Sequence, residues 1–259
     1  MKKVTLLCGM LLALTAVAAN AAPGLNLRWQ NCFGDAGQAN RTNACTSTLG
    51  SAGTLVGSFE LGPDGVLGVT GIEIVVDLAS AGATLPAWWT FNAPGGTIGC
   101  RGAALAINPT ISGTAANCFD WAGGQAAGGL AAYRVGSATV GYGPSSARIV
   151  AGFAVAAPTD VPGAAEMFAF NASISMAKTT GTGACAGCTT PVCIALNSIN
   201  VVPGTATSTF LGGPANGLGS NIATWQGGAG VSSTLGGGCP AATPNKNTTW
   251  GSVKALYHN

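Results

Sequence analysis

Residues 166–178 read EMFAFNASISMAK, and this stretch decides the fold class. Phe168, Phe170, Ala172, Ile174 and Met176 alternate with Ala169, Asn171, Ser173 and Ser175. Apolar residues at a period of two turn one side of an extended chain into a core, whereas a helix would need spacings of three and four. The alternation recurs in GIEIVVDLAS, residues 71–80, where Ile72, Ile74, Val76 and Leu78 share one side and Glu73, Val75 and Asp77 the other.

Working outward, further strands are predicted at LNLRW from Leu25, TLVGSFE from Thr54, GGLAAYRV from Gly128, ARIVAGFAV from Ala147, VCIALNSINVV from Val192 and NIATWQ from Asn221. Turn formers punctuate them, as in GPDG at 62–65 and GYGPSS at 141–146. The 41 glycines disfavour long helices, since glycine costs about 1 kcal/mol per helical position relative to alanine. Strands with no helical pattern between them predict an all-β fold, an antiparallel β-sandwich stapled by disulfides. Glycine-rich loops are expected at 212–220 and 227–238, and there is no strict internal repeat.

The amino end, MKKVTLLCGMLLALTAVAANA, has two lysines, an apolar run and small residues at Ala19 and Ala21. It reads as a secretory signal peptide over 1–21, with Cys8 in the discarded segment. The apolar run is shorter than the roughly 20 residues a spanning helix needs, so no membrane span is expected in the mature form. The organisation predicted is a signal peptide over 1–21, a β-sandwich domain over 22–239 and a flexible C-terminal tail over 240–259. In the tail, Trp250, Val253, Leu256 and Tyr257 fall on one side of a short helix.

Without Lys2 and Lys3 the chain has eight basic residues against eight acidic ones. No basic face is available to neutralise phosphates or anionic lipid, which argues against nucleic acid and membrane-surface partners. A near-neutral, charge-poor chain suits a secreted protein of the cell surface, the surrounding medium or the periplasm. The partners expected are an extracellular protein or a polysaccharide, or further copies of the chain through self-assembly.

The mature cysteines are Cys32, Cys45, Cys100, Cys118, Cys185, Cys188, Cys193 and Cys239. An even number in an exported chain is first a disulfide framework. Cys185, Cys188, Cys193 and Cys239 could also form a four-thiolate zinc site, but such sites usually pair two CxxC units and only one is present. A thioredoxin-like role wants CxxC at a helix start, whereas here glycines precede it and a proline and a β-like run follow. Eight cysteines allow 105 pairings. Local pairs are favoured, Cys32 with Cys45 and Cys100 with Cys118, leaving the remaining four to pair among themselves with Cys239 tied to one of the cluster.

The segments GLNLRWQNCFGDAG, TGIEIVVDLAS, LPAWWTF, TGACAGCTTPVCIALNSINV and TTWGSVKALYHN resemble a family of uncharacterised, exported bacterial β-rich proteins. The cysteine cluster is the most specific part of that resemblance. It implies an extracellular β-rich protein and brings no catalytic residues. The ending LYHN departs from it, since a basic residue is expected after the tyrosine.

The single histidine, His258, is penultimate, which leaves Ser/His/Asp and Cys/His mechanisms without a placed base. Glycosidase chemistry needs only two carboxylates, and the candidates are Asp35, Glu60, Asp64, Glu73, Asp77, Asp120, Asp160 and Glu166. Asp64 lies in a turn, and Glu73 and Glu166 would have to meet across paired strands. The reading is therefore a non-catalytic structural or adhesive module, with a carbohydrate-binding module as the alternative. No cofactor is expected; Asn31, Asp35, Gln38 and Asn40 offer oxygen donors to calcium, but their spacing matches no known loop. For the alternative, Trp88 and Trp89 would point to opposite faces of a strand, and an outward tryptophan beside Trp121 could stack on a sugar.

Overall fold

The computed structural model describes residues 23–80, 82–92, 98–111, 118–136, 143–216 and 219–227. The expected signal peptide, 1–21, and the expected tail, 240–259, lie outside them. Among the described residues the regular structure is twelve strands and two short 3-10 turns. All eight predicted strands are present: β1 (Gly24–Trp29), β3 (Ser51–Glu60), β4 (Val66–Ser80), β7 (Ala127–Val135), β8 (Ser146–Val161), β9 (Glu166–Ser175), β10 (Val192–Pro203) and β12 (Ile222–Trp225). The short strands β2 (Asn40–Arg41), β5 (Leu105–Asn108), β6 (Phe119–Asp120) and β11 (Thr209–Gly212) were not predicted.

The strands form two largely antiparallel sheets. The smaller runs β1-β3-β9-β5 with β6 beside β9, and the larger runs β2-β12-β10-β4-β8-β7 with β11 beside β10. Their facing sides share one core, to which β1 gives Leu25 and Leu27, β3 gives Leu55 and Phe59, β4 gives Ile72, Ile74, Val76 and Leu78, and β10 gives Ile194 and Leu196. Alternation in the sequence is thus the pleat of strands packed on one face.

The opening stretch departs from its predicted register at one point. Phe170 pairs with Gly57 and Phe168 with Ser58, so the chain gains a residue at Ala169, a β-bulge. The bulge turns Phe168 away from the main core into a second cluster with Cys32 and Val56, while Phe170 stays in the first. The outward side of the smaller sheet is therefore covered as well. The chain from Asn31 to Gly37 is held there by the Glu166 carboxylate, which accepts the backbone N–H of Phe33 at 2.8 Å and of Gly34 at 2.8 Å.

Candidate functional site

The cysteines of GACAGCTTPVC, residues 183–193, diverge rather than converge. Cys185 is bonded to Cys100 and Cys188 to Cys45, while Cys32 is bonded to Cys118. Cys193 is also disulfide-bonded, and Cys239 lies outside the described residues. The expected local pairs Cys32–Cys45 and Cys100–Cys118 are thus corrected to bridges spanning 86, 143 and 85 residues. The reason is placement. Cys118 leads into β6, which lies beside β9 where the Cys32 loop crosses, whereas Cys45 meets Cys188 beside β12, where Gln226 Nε2 donates to the Cys188 carbonyl. A zinc knuckle is incompatible with these bonds.

One end of the sandwich is closed by aromatic rings. Trp88 and Trp225 stack with centroids 5.1 Å apart, and Trp89 meets both edge-on. The segment LPAWWTF is not a strand, because Ala87–Trp89 forms a 3-10 turn. Consecutive indoles can both point inward from such a turn, and Trp88 is 0 % and Trp89 1 % exposed. Trp121 is buried as well. The expectation of an outward tryptophan at Trp88, Trp89 or Trp121 is therefore corrected, as none of the three offers a face to a sugar.

Arg101 caps this cluster, with its guanidinium 3.5 Å from the centre of the Trp88 ring. It donates from Nε to the Ala177 carbonyl at 2.9 Å, from Nη1 to the Trp88 carbonyl at 2.8 Å and from Nη2 to the Ser175 carbonyl. Burial pushes its pKa down to about 10. The carbonyls and the ring face stand in for a carboxylate partner.

Most carboxylates of the described residues serve the fold. Asp77 makes a bidentate pair with Arg148 at 2.6 and 2.7 Å and accepts from Asn197. Glu60 accepts from Asn26 and Asn216, Asp120 from Ala122 and Gly124, and Asp160 from Gly68. Glu73 and Glu166 do not meet, since Glu166 is paired with Glu60 in the smaller sheet and Glu73 with Asn200 in the larger. The sulfurs of Cys32 and Cys118 lie near Glu166 but are bonded to each other. Two of the four calcium candidates have side chains engaged within the fold. Asn31 Nδ2 donates to the Asp35 carbonyl, while Asn40 Oδ1 accepts from Thr224 and Gly227.

The feature sequence reasoning missed is on the outward face of the larger sheet. Ile72 and Ile74 enter the core, so Glu73 between them faces out. Two cross-strand rows adjoin there: Asn200, Glu73, Gly152 and Gly129, then Val202, Gly71, Ala154 and Ala127. With glycine or alanine at the β7 and β8 positions of both rows, the sheet carries almost no side chains, and a trough of about 510 Å³ lies open above it.

A Cβ at Gly152 would meet nothing nearer than the Ile72 carbonyl oxygen at 3.9 Å. At Gly128, with φ +146°, a Cβ would sit 2.1 Å from the Gly152 carbonyl oxygen, so there the backbone itself requires glycine. Beside the open floor, Glu73 Oε2 accepts from Asn200 Nδ2 at 3.0 Å, while Oε1 is buried with no hydrogen-bond partner. A carboxylate oxygen buried without a donor is costly to the fold. The available signal was glycine inside strand patterns, at Gly128, Gly129 and Gly152, which marks a close approach to backbone.

Comparison with family models, with curated proteins and with solved structures found no match.

Proposed function

We propose that the chain is a non-catalytic module of the cell exterior with a structural or adhesive role, and that its contact surface is the trough over Gly152 beside Glu73. The observation that carries this reading is an open, mostly apolar floor beside the Glu73 carboxylate. Such a surface suits an extended segment with small apolar side chains and one N–H or ammonium to place on Glu73. Glu73 is the only titratable side chain among the trough's lining residues, which fits poorly with paired acid and base chemistry. The disulfide framework suits an oxidising compartment outside the cytoplasm, and no described helix is long and apolar enough to cross a membrane.

The carbohydrate-binding alternative loses the stacking aromatics on which it rested. Gly152→Leu tests the proposal, because it fills the trough where a Cβ has room. Sedimentation and electron microscopy of the purified protein, with adsorption to the producing cells, should show self-association or adherence that Gly152→Leu abolishes. Saturable binding to one glycan on an array, lost in the same variant and without self-association or adherence, would overturn the adhesive reading in favour of sugar binding.

A further inference from the structure

Cys193 stands on the outward side of β10. Its neighbours Val192 and Ile194 belong to the main core, whereas Cys193 clusters with Ala195 and Ile222. These three outward residues are only 5 %, 6 % and 4 % exposed, although they face away from the other sheet. Cys193 is disulfide-bonded, and the other six described cysteines are paired with one another. Of the nine cysteines in the chain, that leaves Cys8, inside the leader read over residues 1–21, and Cys239.

We infer that Cys193 is bridged to Cys239, which ties the chain beyond β12 back to the outward side of β10. The path is short. Trp225 at the end of β12 is paired with Val192, so the chain leaves the sheet beside its own anchoring point. Residues 228–238, GAGVSSTLGGG, are rich in the glycine that a reversal needs. The bridge forms when the two thiols yield two protons and two electrons to a protein disulfide oxidant of the export compartment, which is reduced to its dithiol.

The consequence is directional. The part of the chain beyond Cys239, which the sequence alone suggests is a loose tail, starts from a fixed point on the same face as the trough. Whatever it engages is therefore presented on the side used for contact.

Partial reduction and stepwise alkylation of the unreduced peptide that carries Cys185, Cys188 and Cys193, followed by fragmentation, should show Cys193 joined to Cys239. Cys239→Ser should expose one alkylatable thiol, at Cys193. Joining of Cys193 to any other cysteine, or a disulfide-linked dimer through it, would overturn the tether. The map of the native protein decides the tether even where the variant fails to fold.

Discussion

Gly57 lies opposite Phe170 on paired strands, and the Phe170 ring fills the space a side chain at Gly57 would need. A Cβ there would sit 2.0 Å from the ring. Gly57→Ala should therefore destabilise strongly by displacing a buried aromatic. Phe170→Ala should cost about 3 to 5 kcal/mol, whereas Ser173→Ala, on the outward side, should be nearly silent. Urea denaturation of the three variants checks this, and equal losses from Phe170→Ala and Ser173→Ala would contradict the assigned faces.

The long strands were legible because each contains several periods of alternation, as Ile72 to Leu78 does. A strand of two residues, such as Phe119–Asp120, holds no full period and exists only through its partner. The bulge at Ala169 was hidden for a similar reason. Phe168 is as apolar as Phe170, and only the cover over the outward face lets it point the other way.

Glu166→Ala removes the acceptor for the half-buried Phe33 and exposed Gly34 amides and for the buried Ser58 hydroxyl, and should cost about 1 to 2 kcal/mol. Hydrogen exchange should rise at residues 31–37 more than elsewhere. Unchanged protection there would mean that the Cys32–Cys118 bridge alone holds the loop.

The trough and the bridges were illegible for different reasons. A glycine has no pattern to read, and Gly152 acquires meaning only when the register sets it beside Glu73 and Gly129. Cysteine partners depend on which loops share an end of the sandwich, which chain separation does not reveal. Trp88 and Trp89 would face opposite ways only in a strand, and the 3-10 turn lets both be buried.

Gly152→Leu should leave the melting temperature nearly unchanged, because its Cβ has room. Gly128→Ala should lower it by several degrees, from positive φ and a backbone clash together. Differential scanning calorimetry separates the two, and a large loss at Gly152 would mean that the floor is not open.

Tyr133 donates its phenol proton to the Trp89 carbonyl, and burial holds its pKa above the usual value. A tyrosine in the unfolded chain ionises near pH 10, so the stability tied to this proton is present below about pH 10 and lost as pH rises further. Arg101 acts in the opposite sense. Its lowered pKa means that between about 10 and 12.5 the unfolded chain binds more protons, and its contribution to stability rises with pH. Tyr133→Phe should therefore be less stable at neutral pH by about 1 kcal/mol but lose stability less steeply above pH 10. Brief urea titrations at pH 8 and pH 10.5 compare the slopes; parallel losses in both proteins would contradict the assignment.

The divergent cysteine cluster is the centre of this account, because it joins distant loops of the two sheets into one rigid scaffold. Mass spectrometry of unreduced, multiply digested mature protein tests it most directly. The predicted result is Cys185 linked to Cys100, Cys188 to Cys45 and Cys32 to Cys118, with no free thiol; a map showing Cys32 linked to Cys45 and Cys100 to Cys118, or a zinc-bound cluster of reduced cysteines, would contradict it.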